Sequence, residues 1–232
     1  MLSFEDNELM CRVGPGTPMG DLMRELILND LNPGAEGKGR AVWMAYGYIL
    51  SEGRAKNIVL HDCDIVTYDC ELLARLCYPL VNPALSFEFC KGFYSRVTDR
   101  LHGSVTRLLV TPLLRALKLI LGTLPFLEYM DSFRYPLAGE FSMTVDLAQV
   151  NRVPSDWSLE VETLAEVFRN CSMKRICQVE LCENYDHKHQ ALSSSDSSQG
   201  LLKMSVDITK AIFRTLRTEE VSFSEEFLKA LR

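Results

Sequence analysis

Apolar positions recur along the chain with two spacings, and these divide it into alternating helical and extended blocks. Over residues 40–51, apolar side chains such as Val42, Met44, Tyr46 and Ile49 fall almost all round a helical wheel, predicting a well-buried helix. Asn57-Ile58-Val59-Leu60 is then a short, mostly apolar run bounded by polar residues, as in a strand buried on both faces. Further helices are predicted over 69–80, over 105–121 with an interruption near Pro112, over 145–150, over 159–170 and over 201–216, with a shorter helical piece reaching Arg232. Strands are predicted over 86–94 and 175–181, and residues 133–141 resemble a strand and turn. Ahead of all these, 8–13 reads as a strand and Gly14-Pro15-Gly16-Thr17-Pro18 as a rigid turn. Thr17 caps a helix there, with Pro18 at its first position. Strands alternating with helices predict an α/β fold, a mixed, mostly parallel sheet flanked by helices. The polar run 193–200 is a flexible linker, which separates a domain over 1–192 from a helical extension over 201–232.

Composition narrows the class. A chain of 232 residues, 47% apolar and 24% charged, can bury a sizeable core as a soluble globular protein. A formal charge of −6 argues against non-specific binding to nucleic acid or to an anionic membrane. The 8 cysteines include no CxxC pair, and several lie within apolar runs, which points to reduced, buried thiols in a cytoplasmic protein. No opening segment has the plan of a signal peptide. The apolar stretch around 108–127 is broken by Arg115, Lys118 and prolines, so no membrane span is expected.

The candidate chemistry begins where the 57–60 strand ends, at His61-Asp62-Cys63-Asp64. Ligands of open α/β sheets gather at the carboxyl ends of strands. Side chains at i and i+2 share a face, so Asp62 and Asp64 can point into one site and hold a hard cation through oxygen ligands. Such a cation can neutralise a diphosphate. An Asp-x-Asp pair alone is also what a solvated turn after a strand looks like, and other residues must join it to carry an assignment.

Four segments do so in order: Gly37-Lys38-Gly39-Arg40 before the buried helix, His61-Asp62-Cys63-Asp64, Pro136-Leu137-Ala138-Gly139-Glu140-Phe141, and Tyr185-Asp186-His187-Lys188-His189. Lys91-Gly92-Phe93-Tyr94 and His102-Gly103-Ser104-Val105-Thr106-Arg107 agree with them. Together they resemble the glucosyl-3-phosphoglycerate synthase and mannosylglycerate synthase group of retaining glycosyltransferases, with the nucleotide-sugar-binding GT-A fold. The resemblance implies a metal site of Asp64, Asp62 and the late His187, holding Mg²⁺ or Mn²⁺ and the donor diphosphate. Asp64 is expected to be the direct ligand and Asp62 to face the ribose or a metal-bound water. Imidazole beside carboxylate suits Mn²⁺ better than oxygen ligands alone. It implies donor contacts from Lys38, Asp62, Leu137, Ala138, Gly139 and Glu140, the 137–140 stretch lining the sugar through backbone and small side chains. Glu160, at a helix start beside the sugar, is expected to act with Asp64 in catalysis, by bonding sugar hydroxyls or stabilising an oxocarbenium-like centre. Without the resemblance, Lys38 is a solvated loop lysine, Gly139 a turn glycine, and Glu160 a helix-start carboxylate facing the dipole. The acceptor is expected at Gly103, Ser104, Val105 and Thr106, where helix N–H groups can hold a carboxylate or phosphate.

Two residues depart from the family pattern. Ser104 stands where relatives usually have an arginine able to grip a phosphorylated acceptor, and Tyr185 stands where relatives can have an arginine near the diphosphate. The strand and loop that hold the nucleotide base in a GT-A domain are not evident, so a truncated domain is expected. The activity implied is metal-dependent, retaining transfer of glucose or mannose from a nucleoside diphosphate to glycerate or 3-phosphoglycerate. No carboxylate is an evident covalent nucleophile, which favours attack by the acceptor on the face of the departing diphosphate. The rivals are a binding module that keeps the fold without activity, and a metal-dependent phosphatase or nuclease, for which further nearby carboxylates are wanting. The assembly is left open, a homodimer included.

Overall fold

The computed structural model describes residues 38–95, 103–183, 185 and 200–224. The expected strand over 8–13, the helix capped by Thr17, the linker over 193–199 and the 225–232 piece lie outside the described residues.

Among the described residues, eleven regular helices and strands follow in order, apart from single-turn pieces: α1 (Lys38–Glu52), β1 (Asn57–Leu60), α2 (Cys70–Val81), β2 (Phe89–Phe93), α3 (Thr111–Leu121), α4 (Pro125–Asp131), β3 (Phe141–Thr144), α5 (Val145–Val150), α6 (Leu159–Asn170), β4 (Ile176–Glu180) and α7 (Gly200–Thr218). The strands form one mixed sheet in the order β1-β3-β2-β4. Strand β3 runs antiparallel to both neighbours and β2 runs parallel to β4, so β1, β2 and β4 share one direction.

The strands alternate sides as their side-chain period of two requires. Ile58, Phe89, Phe141 and Met143 face a large core shared with α3, α4, α6 and α7. Val59, Cys90, Cys177 and Val179 face a smaller one with Leu72 and Leu76 of α2, completed by Tyr94, Leu181 and Tyr185. Helix α2 starts where Asp69 accepts the Glu71 and Leu72 N–H groups at 2.8 and 3.2 Å, an N-cap that satisfies two otherwise orphan donors. It is tied to the sheet by the Ser142 hydroxyl, which donates to the Leu76 carbonyl at 2.7 Å. Helix α7 lays Ile208, Ala211, Ile212 and Leu216 into the large core.

Three details differ from the pattern read in sequence. Helix α4 was not anticipated, because its seven residues span barely two turns and show no full amphipathic period. The expected strand within 133–141 is a turn-rich segment, and pairing begins only at Phe141, after Pro136 and Gly139. The interruption near Pro112 is a π-helical turn over Thr106–Val110, in which the Thr111 N–H donates to the Thr106 carbonyl. Widening the helix there accommodates a proline ring that would crowd the preceding turn.

Candidate active site

Pairing register assembles the site. Leu60 lies opposite Phe141 in the β1–β3 ladder. Continuing that antiparallel register two residues beyond β1 and two before β3 sets Asp62 against Gly139. Gly139 supplies the room: a Cβ on it would come within 2.6 Å of the Asp62 carboxylate carbon. In the β2–β3 ladder, the next step past Lys91 opposite Phe141 sets Gly92 against Glu140, where the Gly92 N–H donates to the Glu140 carbonyl at 2.9 Å. The carboxyl ends of β1, β2 and β4 and the start of β3 therefore meet at one edge of the sheet.

Helix starts bring the remaining charges. Gly39 allows α1 to press against the loop before α6, since a Cβ there would lie 2.9 Å from the Pro154 carbonyl carbon. That contact delivers Lys38 to the first turn of α6. Its ammonium donates to Glu160 Oε1 at 2.6 Å and to Asp62 Oδ1 at 2.5 Å. Lys38 and Asp62 keep a quarter of their side-chain surface in solvent, whereas Glu160 is nearly enclosed. Burial acts to lower the Lys38 pKa, but the Glu160 and Asp62 charges outweigh it, and the pKa is raised. Lys38 therefore remains a cation between two carboxylates at any physiological pH.

Residues 136–140 are buried. The Ala138 carbonyl accepts from the ammonium of Lys91, itself 1% exposed, and Lys91 also lies 5.4 Å from the Phe141 ring centroid. Burial pulls the Lys91 pKa down to about 8. Glu140 Oε2 accepts from the Tyr94 hydroxyl at 2.8 Å, and its Oε1 from the Tyr185 hydroxyl at 2.5 Å. Burial and then the nearby Asp62 charge push the Glu140 pKa up, opposed by the Tyr185 hydrogen bond.

Of the expected site residues, Lys38, Asp62 and Glu160 are in direct contact, with Gly139 and Glu140 packed against Asp62. Leu137 and Ala138 lie in the buried stretch beside them. Asp64 is half-buried on the same turn as Asp62. Gly103 adopts a left-handed φ of 76° and packs near the Tyr135 hydroxyl, while Tyr135 meets Tyr94 edge to face at 5.2 Å. That chain of rings connects the 103–106 segment to the Glu140 cluster. Ser104 is exposed, Val105 packs on the large core, and the buried Thr106 hydroxyl has no hydrogen-bond partner among the described residues. His187 lies outside the described residues. Tyr185, read in sequence only as a departure near the diphosphate, is 1% exposed, with its hydroxyl on Glu140. Lys91 and Tyr94 belong to a motif quoted above, yet neither was assigned a role; a lysine inside an apolar strand was the available signal, because a buried ammonium needs a partner.

Among the described residues no three His, Cys, Asp or Glu side chains are grouped to share an ion. Asp62 and Asp64 nevertheless suit Mg²⁺ or Mn²⁺: both are oxygen donors on one turn, and neither is sealed from solvent.

A mixed sheet flanked by helices, with β3 running against its neighbours, is the frame of a GT-A domain, and comparison with known proteins bears this fold out. The sequence is 54% identical over 216 residues to glucosyl-3-phosphoglycerate synthase of Persephonella marina, covering 93% of this chain and 53% of that protein. It is 46% identical over 200 residues to the synthase of Methanococcoides burtonii, covering 84% and 48%. The chain is thus homologous to the glucosyl-3-phosphoglycerate synthases along most of its length, and it spans about half the length of these curated relatives. No protein-family model matches it. The Mycobacterium tuberculosis synthase in complex with Mn²⁺, UDP-glucose and phosphoglyceric acid has the same fold, with a TM-score of 0.64 at 23% identity over 83% of this chain and 59% of that one. Its complex with Mn²⁺, UDP-glucose and glycerol 3-phosphate gives 0.64 at 22% identity over the same shares.

Proposed function

We propose that this chain carries the donor and metal site of a metal-dependent retaining glycosyltransferase that moves glucose from UDP-glucose to 3-phosphoglycerate. The observation that carries the reading is the bridge of Lys38 between Asp62 and Glu160 at the carboxyl end of β1. Homology to the synthases supports glucose over mannose and a phosphorylated acceptor over glycerate.

In this reading Asp64, with His187, holds Mg²⁺ or Mn²⁺, and Asp62, engaged by Lys38, faces the nucleotide. The bound ion supplies positive charge for the diphosphate as it departs. Lys38 holds the Asp62 and Glu160 carboxylates at fixed separation. Glu160 is thereby directed at the sugar, where a carboxylate stabilises positive charge at the anomeric carbon or accepts from a hydroxyl. The segment 103–106 opens a helix, whose first N–H groups lack intrahelical partners, and would offer these and the Ser104 hydroxyl to the acceptor. With no carboxylate assigned as a covalent nucleophile, the acceptor hydroxyl attacks the anomeric carbon on the face that the diphosphate leaves, the bond from that carbon to the diphosphate breaks, and a diphosphate oxygen takes the hydroxyl proton. A cytoplasmic location accords with the described cysteines forming no disulfide; among the described residues no helix is long and apolar enough to cross a membrane.

The test is incubation of the purified chain with UDP-glucose, 3-phosphoglycerate and Mn²⁺, with mass-spectrometric detection of the glucosylated product. Product is expected with the native chain and not with Asp64→Ala. Failure to bind UDP-glucose by calorimetry in the presence of Mn²⁺ would remove the proposal, as would full turnover by Asp64→Ala.

A further inference from the structure

Behind the carboxylate pair lies a polar cluster inside an otherwise apolar core. Glu140 is wholly enclosed, and three donors converge on its carboxylate: the Tyr94 hydroxyl at 2.8 Å, the Tyr185 hydroxyl at 2.5 Å and the backbone N–H of Asp62 at 3.3 Å. The two tyrosine rings are stacked, with centroids 3.7 Å apart and planes 8° from parallel. Each is anchored from behind. Tyr94 follows directly on β2, and the Tyr185 N–H donates to the Ser95 carbonyl at 3.1 Å. The backbone of Glu140 is fixed as well, by the Gly92 N–H on its carbonyl at 2.9 Å.

Asp62 is the first residue of the carboxylate pair, and its amide lies two residues beyond the end of β1, where the turn begins. Burying a carboxylate without hydrogen bonds is costly, and a leucine would fill the same volume without that cost. An acid kept at this position, with its oxygens divided between two tyrosines and one main-chain amide, orients that amide. Groups that orient the ligands of a metal site in this way commonly govern its affinity.

We propose that Glu140 is a positioning residue: held by Tyr94 and Tyr185, it fixes the Asp62 amide and so the direction in which Asp62 and Asp64 leave the end of β1. The consequence for metal binding rests on the reading of that turn as the donor and metal site. Tyr185 then does not wait for the diphosphate. Its hydroxyl serves the strand-end carboxylates from behind, through Glu140.

The experiment uses the full chain and the variants Glu140→Leu, Glu140→Gln and Tyr185→Phe, with two measurements. Free Mn²⁺ is followed by electron paramagnetic resonance in the presence of UDP, and hydrogen exchange is measured at the Asp62 amide relative to that of Leu60 within β1. Glu140→Leu and Tyr185→Phe are expected to weaken Mn²⁺ binding by about 10- to 100-fold and to accelerate exchange at Asp62 selectively. Glu140→Gln keeps an oxygen for the Asp62 N–H and is expected to stay within about threefold of the native chain in both, a rescue that loss of packing would not give. Native Mn²⁺ affinity or native Asp62 exchange in Tyr185→Phe overturns the proposal, and that variant, which keeps the stacked ring, decides alone if Glu140→Leu does not fold. If the native chain takes up no Mn²⁺ with UDP, the glycosyltransferase reading falls, while the hold of Glu140 on Asp62 is still judged by the exchange measurement.

Discussion

Lys91 offers a direct measure of what the buried frame of the site costs. It lies in β2 at 1% exposure, with its ammonium on the Ala138 carbonyl and the Phe141 ring beside it. Burial lowers its pKa from 10.5 to about 8, even though Glu160, Glu140 and Asp62 act to raise it; Lys38 acts with burial. At about 1.4 kcal/mol for each tenfold change in proton affinity, holding this charge in the native state costs about 3 kcal/mol. The pH window follows from the sign. Below pH 8 both folded and unfolded chains carry the proton, and the penalty is constant. Between pH 8 and 10.5 the unfolded chain still binds it and the folded chain does not, so stability rises with pH in that interval. Other groups titrate there too, the buried Cys90 thiol being pushed up out of it, so the quantity to follow is a difference. In urea unfolding at steps from pH 7 to 10.5, the stability of the native chain relative to Lys91→Met is expected to be level up to pH 8. It should then climb by about 3 kcal/mol in favour of the native chain. A level difference across the interval, or a fall, would show that Lys91 keeps an ordinary proton affinity inside the sheet and would refute the reasoning.

Two glycines should separate function from folding. Gly139→Ala sets a methyl group against the Asp62 side chain, which must turn away; binding of Mn²⁺ with UDP is expected to fall about tenfold or more by calorimetry, with a small change in melting temperature. Gly39→Ala sets a methyl group against the Pro154 backbone, which cannot turn, and should lower stability by about 1–3 kcal/mol in denaturant unfolding. Lys38→Met leaves Glu160 nearly enclosed without its cation, and should destabilise the chain by about 1–3 kcal/mol, allowing for the quarter of Lys38 that is solvated. Adding Glu160→Leu should restore part of that loss, and a double-mutant cycle that shows additivity would break the proposed coupling.

The parts of the fold that were legible are those whose signal is local. The end of the apolar run at Leu60 marked the end of β1, Asp69 marked the start of α2, and the spacing of Leu159, Val161, Leu164 and Val167 marked α6 to its last residue. Helix α4 was too short for periodicity to speak, and the late start of β3 depends on pairing partners that a single strand does not reveal. The candidate site divides in the same way. Each motif could be found by its residues, and the homology bears out the family that they resemble together. Which side chain meets which could not be found so, because Asp62 and Gly139 are brought together by a ladder between strands about 80 residues apart in sequence. A slip of one residue in that ladder would send Asp62 to the other face of the sheet and Glu140 out of reach of its amide. The glycines at 92 and 139 are where that register is enforced: each lies where a side chain would strike the partner strand or the residues just beyond it. The chemistry proposed for the strand end is therefore a consequence of β3 running against its neighbours, since only an antiparallel strand brings its beginning, Gly139 and Glu140, to the edge where β1, β2 and β4 finish.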